Sequence, residues 1–113
     1  MSAGTPLELR VHHEPHATVI VVCGEIDLSS SGRLREQVLA GLEQGTTVLD
    51  VAGVGFCDSA GLRVLLEADH VARACSTAFR LAALSQAVAR VIDLAGAVEV
   101  FAVFADREAA LKE

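Results

Sequence analysis

The chain has 113 residues, of which 52% are hydrophobic and 21% charged, against averages of roughly 45–50% and about 25%. This length and balance describe one folded domain, expected to span 1–113 with its ordered core at about 7–112, and they exclude a disordered chain or a two-domain enzyme. The 9 Lys+Arg against 15 Asp+Glu give a net charge of −6, Lys112 is the sole lysine, and Trp and Tyr are absent. The basic patch and stacking platforms that nucleic acid requires are missing, as is a polybasic segment for a membrane surface, so neither is an expected partner.

The three cysteines, Cys23, Cys57 and Cys75, are odd in number, form no CxxC pair and each sit in an apolar stretch; they are expected to be reduced core residues. The start, Met1-Ser2-Ala3-Gly4-Thr5-Pro6, lacks a basic region followed by an apolar run. No stretch reaches the ~18 apolar residues of a membrane span, so the cytoplasm is the expected compartment.

In chain order, Leu7, Leu9 and Val11 alternate with Glu8, Arg10 and His12, predicting a first strand over about 7–13 with one wet face. After Glu14-Pro15-His16, the run Ala17 to Cys23 is β-branched without alternation and predicts a hairpin partner covered on both faces. Gly24 to Leu28 is expected to be a connection, and Ser29-Ser30-Ser31 offers caps for a helix over about 31–44 that stops at Gly45, with Leu34, Val38 and Leu42 inward.

Thr46 to Val51 predicts a third strand and Gly53 to Asp58 a loop feeding a second helix, from near Ser59 or Ala60 to near Cys75, whose wet side carries Arg63, Glu67, His70 and Arg73. Ala78 to Leu84 predicts strand four. Ser85 caps a third helix with the stripe Val88, Val91, Ile92 and Ala95, which Gly96 ends. Val98 to Phe104 predicts strand five, and Asp106 opens a short last helix. The order β-β-α-β-α-β-α-β-α, with right-handed crossovers, is an α/β sandwich on a mixed, mostly parallel sheet of about five strands. Ligands and partners of such sheets gather at the carboxyl ends of the strands, where Gly24–Asp27 and Gly53–Ser59 fall.

Catalytic and cofactor motifs fail at these loops. Gly53-Val54-Gly55 would need a third glycine at 58, where Asp58 would repel pyrophosphate, and no GxxxxGK[ST] lysine is present, so no cofactor is expected. Cys57-Asp58-Ser59-Ala60-Gly61 sits where a nucleophile elbow would. Yet position 57 is not glycine, and His70 lies eleven residues along the same predicted helix, about 16 Å away by the helical rise and too far to take the serine's proton. His12, His13 and His16 surround a surface turn without metal-ligand spacing, so no metal is expected either. No catalytic residue is assigned.

Two segments remain, Gly24-Glu25-Ile26-Asp27 and, about thirty residues later, Asp58-Ser59-Ala60-Gly61-Leu62. Together with the element order and length, they resemble the STAS domain of bacterial anti-sigma factor antagonists over residues 7–112. The resemblance implies that Ser59 is the residue a partner kinase phosphorylates, with Asp27 beside it and Asp58 as the acidic residue just before it. Ala60 stands where some members carry a second serine. Asp27, Asp58, Ser59, Ala60, Gly61 and Leu62 are the implied partner-binding residues, Ala60 and Gly61 allowing close backbone approach and Leu62 and Leu66 contributing apolar contact. The implied partner is an anti-sigma factor that is also an ATP-dependent serine kinase. It is bound by the unmodified protein, which frees a sigma factor, and it is lost on phosphorylation until a phosphatase restores Ser59. The plain structural reading of Ser59, compatible with this one, is an N-cap of the second helix, whose N–H groups and dipole would hold the phosphate. The alternative implied by the same resemblance is an unmodified accessory subunit of a transporter or signalling assembly.

Overall fold

The computed structural model describes residues 4–112, so residues 1–3 and 113 of the expected domain, and with them half of the N-terminal stretch, lie outside the described residues. The elements are β1 (Glu8–Glu14), β2 (Ala17–Ile26), α1 (Ser31–Gln44), β3 (Thr47–Cys57), α2 (Ser59–Ala74), β4 (Phe79–Ala82), α3 (Gln86–Leu94), β5 (Ala102–Phe104) and α4 (Arg107–Lys112). The strands lie in chain order, β1 antiparallel to β2 and all later pairs parallel. This is the expected fold class.

Sequential strand order with right-handed crossovers puts α1, α2 and α3 on one face of the sheet. The main core gathers there: Ile20, Val22, Leu49 and Leu81 from the strands with Leu34, Val38, Leu65, Ala68, Val88 and Ile92 from the helices. Among the described residues, the opposite face is covered only by the short α4, whose Ala110 packs on Val19, Val48 and Ala82. Arg107 pins α4 to the sheet through Asp50 at 2.9 Å.

That asymmetry corrects three expectations. β2 is not covered on both faces along its length, because six-residue α4 reaches only its first half, and Cys23 on the open part is exposed. Cys75, capping the end of α2, is exposed too, so only Cys57 is a core cysteine. On the edge strand β1, Leu9 is half-buried and Val11 exposed, since the sheet ends before the helices can cover them.

The strand boundaries also differ. β2 continues to Ile26 and β3 to Cys57, so Gly24–Ile26 and Gly53–Cys57, expected as loops, are paired strand. β3 spends two more residues than β2 over this stretch, the register stepping from Val21↔Asp50 to Cys23↔Gly53 and from Gly24↔Val54 to Glu25↔Phe56. These are β-bulges, which glycine marks in a strand interior as readily as it marks a turn. Asp50 holds the first by accepting the Ala52 N–H at 3.1 Å. β4 and β5 are shorter than expected, and residues 98–101 are turn rather than strand. The third helix starts and stops as read: Ser85 accepts the Val88 N–H at 3.2 Å, and the bonds from Gly96 to the Asp93 carbonyl and from Ala97 to the Ile92 carbonyl close it in a Schellman motif. Of the expected stripe, Val88 and Ile92 are buried and Val91 half-buried, but Ala95 is the exposed C-cap, because the helix has already ended there.

Candidate functional site at the carboxyl ends of β2 and β3

The bulged ends of β2 and β3 bring two helix starts side by side. The Asp58 N–H donates to the Ile26 carbonyl at 3.2 Å, tying the start of α2 to the last residue of β2. Gly24 makes this end of β2 possible: its φ is +99°, and a Cβ there would run into the Pro6 carbonyl. Asp27 thus directly follows the residue to which Asp58 is bonded, near the start of α2 at Ser59.

Asp27 organises the turn into α1. Its Oδ1 accepts the Ser29 hydroxyl at 2.7 Å and the N–H groups of Ser29 and Ser30 at 2.9 and 3.1 Å. The Ser29 hydroxyl above all, helped by Ser30 and the two N–H groups, holds the Asp27 carboxyl below its ordinary value against the opposing effect of desolvation. Ser30 caps α1 without a side-chain cap bond; its hydroxyl instead accepts the Asp27 N–H and donates to the Glu25 carbonyl, both at 3.0 Å.

Asp58 organises α2. Its Oδ1 accepts the N–H groups of Ala60 at 2.9 Å and Gly61 at 3.3 Å, making it the N-cap. Ser59, the expected cap, is instead the first residue of the helix and exposed. Aspartate wins because its carboxylate reaches both N–H groups and its charge suits the helix dipole. Two of the N–H groups expected to hold a phosphate are therefore already occupied. The Ser59 hydroxyl makes no hydrogen bond among the described residues.

The other implied contacts divide. Gly61 is buried, and a Cβ on it would lie 2.6 Å from Cys57 Sγ and 2.8 Å from Ile26 Cγ2, so its missing side chain seats α2 on the sheet rather than admitting a partner. Leu62 is half-buried against the main core, and Ala60 is half-buried. Leu66 is exposed, at 38%. Sequence reading missed Leu28, exposed at 82% on the Asp27 turn, and Phe56, exposed at 45% two residues before the cap. A leucine among turn-forming residues was the available signal for the first. Phe56 lines an open groove of 520 Å³ with Gly55, Gln86 and Arg90.

Cys57 does not complete a nucleophile site. Burial, and secondarily the Asp58 charge, push its thiol up to about 11, leaving almost no thiolate at neutral pH. His12, His13, His16 and His70 are all exposed, His70 on the third turn of α2 beyond Ser59. Among the described residues no helix is long and apolar enough to cross a membrane.

The family model for the Mlab, STAS domain matches residues 9–102. The chain therefore belongs to the STAS domain family. Among solved structures, it is similar to an anti-sigma factor antagonist from Mycobacterium paratuberculosis, with TM-score 0.84 and 26% identity over 99% of this chain and 97% of that one. The fold is also that of the anti-sigma factor antagonist SpoIIAA in its unphosphorylated form, with TM-score 0.77 and 20% identity over 93% of this chain and 94% of that one. The Bacillus cell fate determinant SpoIIAA in the phosphorylated form gives TM-score 0.71 and 20% identity over 95% and 97%.

Proposed function

We propose that this protein is an anti-sigma factor antagonist switched at Ser59. The unmodified form binds an anti-sigma factor that is also a serine kinase, so that a sigma factor is released in the cytoplasm. The kinase then moves the γ-phosphoryl group of ATP onto the Ser59 oxygen, the hydroxyl proton leaving to a kinase base and ADP departing, and a phosphatase reverses the change. The observation that carries the reading is the Ser59 hydroxyl itself, exposed at the head of α2 and without a hydrogen bond among the described residues, directly after Asp58, whose N–H is tied to the residue before Asp27. The likeness to structures named as anti-sigma factor antagonists supports the same role. The chain supplies a surface, and the kinase supplies the chemistry.

Phosphorylation adds roughly −1.5 to −2 charge at pH 7 to a corner already holding two acidic side chains. A penalty of about 3 kcal/mol on the complex lowers affinity about 150-fold. Incubation with the co-purifying kinase and ATP is expected to add one phosphate, Ser59→Ala to block the addition while keeping binding, and Ser59→Asp to weaken binding. A Ser59→Asp protein that binds as tightly as the unmodified one overturns the switch. A pull-down that returns transporter subunits and no serine kinase favours the accessory-subunit reading.

A further inference from the structure

Ser59 heads the outward stripe of α2, which continues through Arg63, Leu66 and His70, all exposed, while Val64, Leu65, Ala68 and Ala72 face the core. Residues four apart on a helix are surface neighbours, so the Arg63 guanidinium lies within reach of the Ser59 side chain. Arg63 makes no hydrogen bond or ion pair among the described residues. Its own neighbour one turn further on is Glu67, but both Glu67 oxygens are taken by Arg35 of α1, Nε to Oε1 and Nη2 to Oε2, each at 2.7 Å. Arg73, on the same helix, is by contrast paired with Asp69 at 2.8 Å. An arginine beside the switch serine is thus left uncommitted because another arginine holds the carboxylate it would use. The helix N–H groups cannot substitute for it fully, since Asp58 occupies those of Ala60 and Gly61.

We propose that Arg63 is the residue that reads the state of Ser59. While the hydroxyl is bare, Arg63 offers its guanidinium to an acidic side chain of the partner. Once Ser59 carries a phosphate, that dianion captures Arg63 across one turn, acid N-terminal to base, the favourable orientation on a helix, through charge-assisted bonds. Phosphorylation then adds charge and withdraws a cation from the interface in the same event. This inference rests on the proposed phosphorylation of Ser59.

The test uses the full chain with phosphoserine genetically encoded at position 59, made with Arg63, with Arg63→Gln and with Arg63→Lys, and titrated by phosphorus NMR. The second ionisation of the phosphate, near pH 6 for a free group, is expected about 0.4 lower with Arg63 than with Gln, and Lys should fall between. Asp27, Asp58, His70 and the Arg35–Glu67 pair are common to all three proteins and cancel in the difference. Coincident midpoints for Arg63 and Gln overturn the capture. For the other half, the unmodified Arg63→Gln protein should bind the co-purifying kinase about threefold more weakly, as expected for one exposed charge pair; unchanged affinity overturns it. Because the phosphate is installed without a kinase, failure of any kinase to modify Ser59 defeats the proposed function while the titration still reports the pairing. Coincident midpoints defeat the pairing alone.

Discussion

The starts of α1 and α2 sit side by side, and each is built around one aspartate and nearby serines, yet they leave their hydroxyls in opposite conditions. At α1, Asp27 takes the Ser29 hydroxyl and Ser30 is bonded to both Asp27 and Glu25. At α2, Asp58 satisfies two backbone N–H groups directly, and the Ser59 hydroxyl makes no hydrogen bond among the described residues. A serine used as turn mortar is poorly placed to be modified, because its oxygen must first give up its bonds. A serine one residue behind an aspartate cap can gain or lose a group without disturbing the helix. The position of the cap therefore decides which serine keeps a free hydroxyl, as the switch proposed at Ser59 requires.

The sharpest way to break the comparison is at the glycines of the two first turns. Gly61 faces Cys57 and Ile26 with no room for a methyl group, whereas Gly32 of α1 has nothing within 4 Å of the same added atom. Gly61→Ala should cost about 2 kcal/mol by overpacking a closed contact. Gly32→Ala should be neutral or stabilise by up to about 0.5–1 kcal/mol through helix propensity. Urea denaturation of both variants measures this. A Gly61→Ala protein as stable as wild type means that α2 can lift off the sheet ends, and the fixed geometry of Asp58 and Ser59 goes with it.

A smaller effect separates the serines themselves. Ser30→Ala removes a hydroxyl that bridges the Asp27 N–H and the Glu25 carbonyl, and should cost about 1 kcal/mol. Asp58→Ala, which strips the cap of α2, should cost about the same. Ser59→Ala should stay within about 0.5 kcal/mol of wild type, as exposed substitutions without partners do. If Ser59→Ala destabilises as much as Ser30→Ala, the Ser59 hydroxyl is structural and the distinction between the two helix starts fails.

These variants also mark where the sequence was legible. The spans of α1 and α2, the cap at Ser85 and the stop at Gly96 followed from apolar spacing and capping chemistry, which are local. That Gly24–Asp27 and Gly53–Ser59 lie at the carboxyl ends of parallel strands followed from the element order, whereas the roles of Asp27, Asp58 and Ser59 there came through the family pattern. The glycines of 53–57 misled because a bulge and a turn use the same residue. Cys23 was misplaced because its exposure depends on α4 being too short to reach it. Aspartate and serine are equally good caps by type, and only the structure could show Asp58 taking the place expected for Ser59. The uncommitted state of Arg63 depends on Arg35 reaching across from another helix.

The smallest expected effect concerns the charge on Asp27. Hydrogen bonds from Ser29 and Ser30 lower its carboxyl in the folded state, so the unfolded chain binds the proton more readily. Stability from this group is therefore fully present above the ordinary value of 3.8 and is lost as pH falls through the lower folded value. Glu67, lowered by Arg35, acts in the same direction. In Asp27→Asn the Glu67 contribution persists while that of Asp27 is gone. The gap in denaturation midpoint between wild type and Asp27→Asn should accordingly be full above pH 3.8 and shrink as the pH falls below it. A gap that stays constant over that range would mean that the Asp27 turn is held by its shape rather than its charge. The α1 start would then owe nothing to the anion, and the only carboxylate whose charge matters at this corner would be the one capping α2.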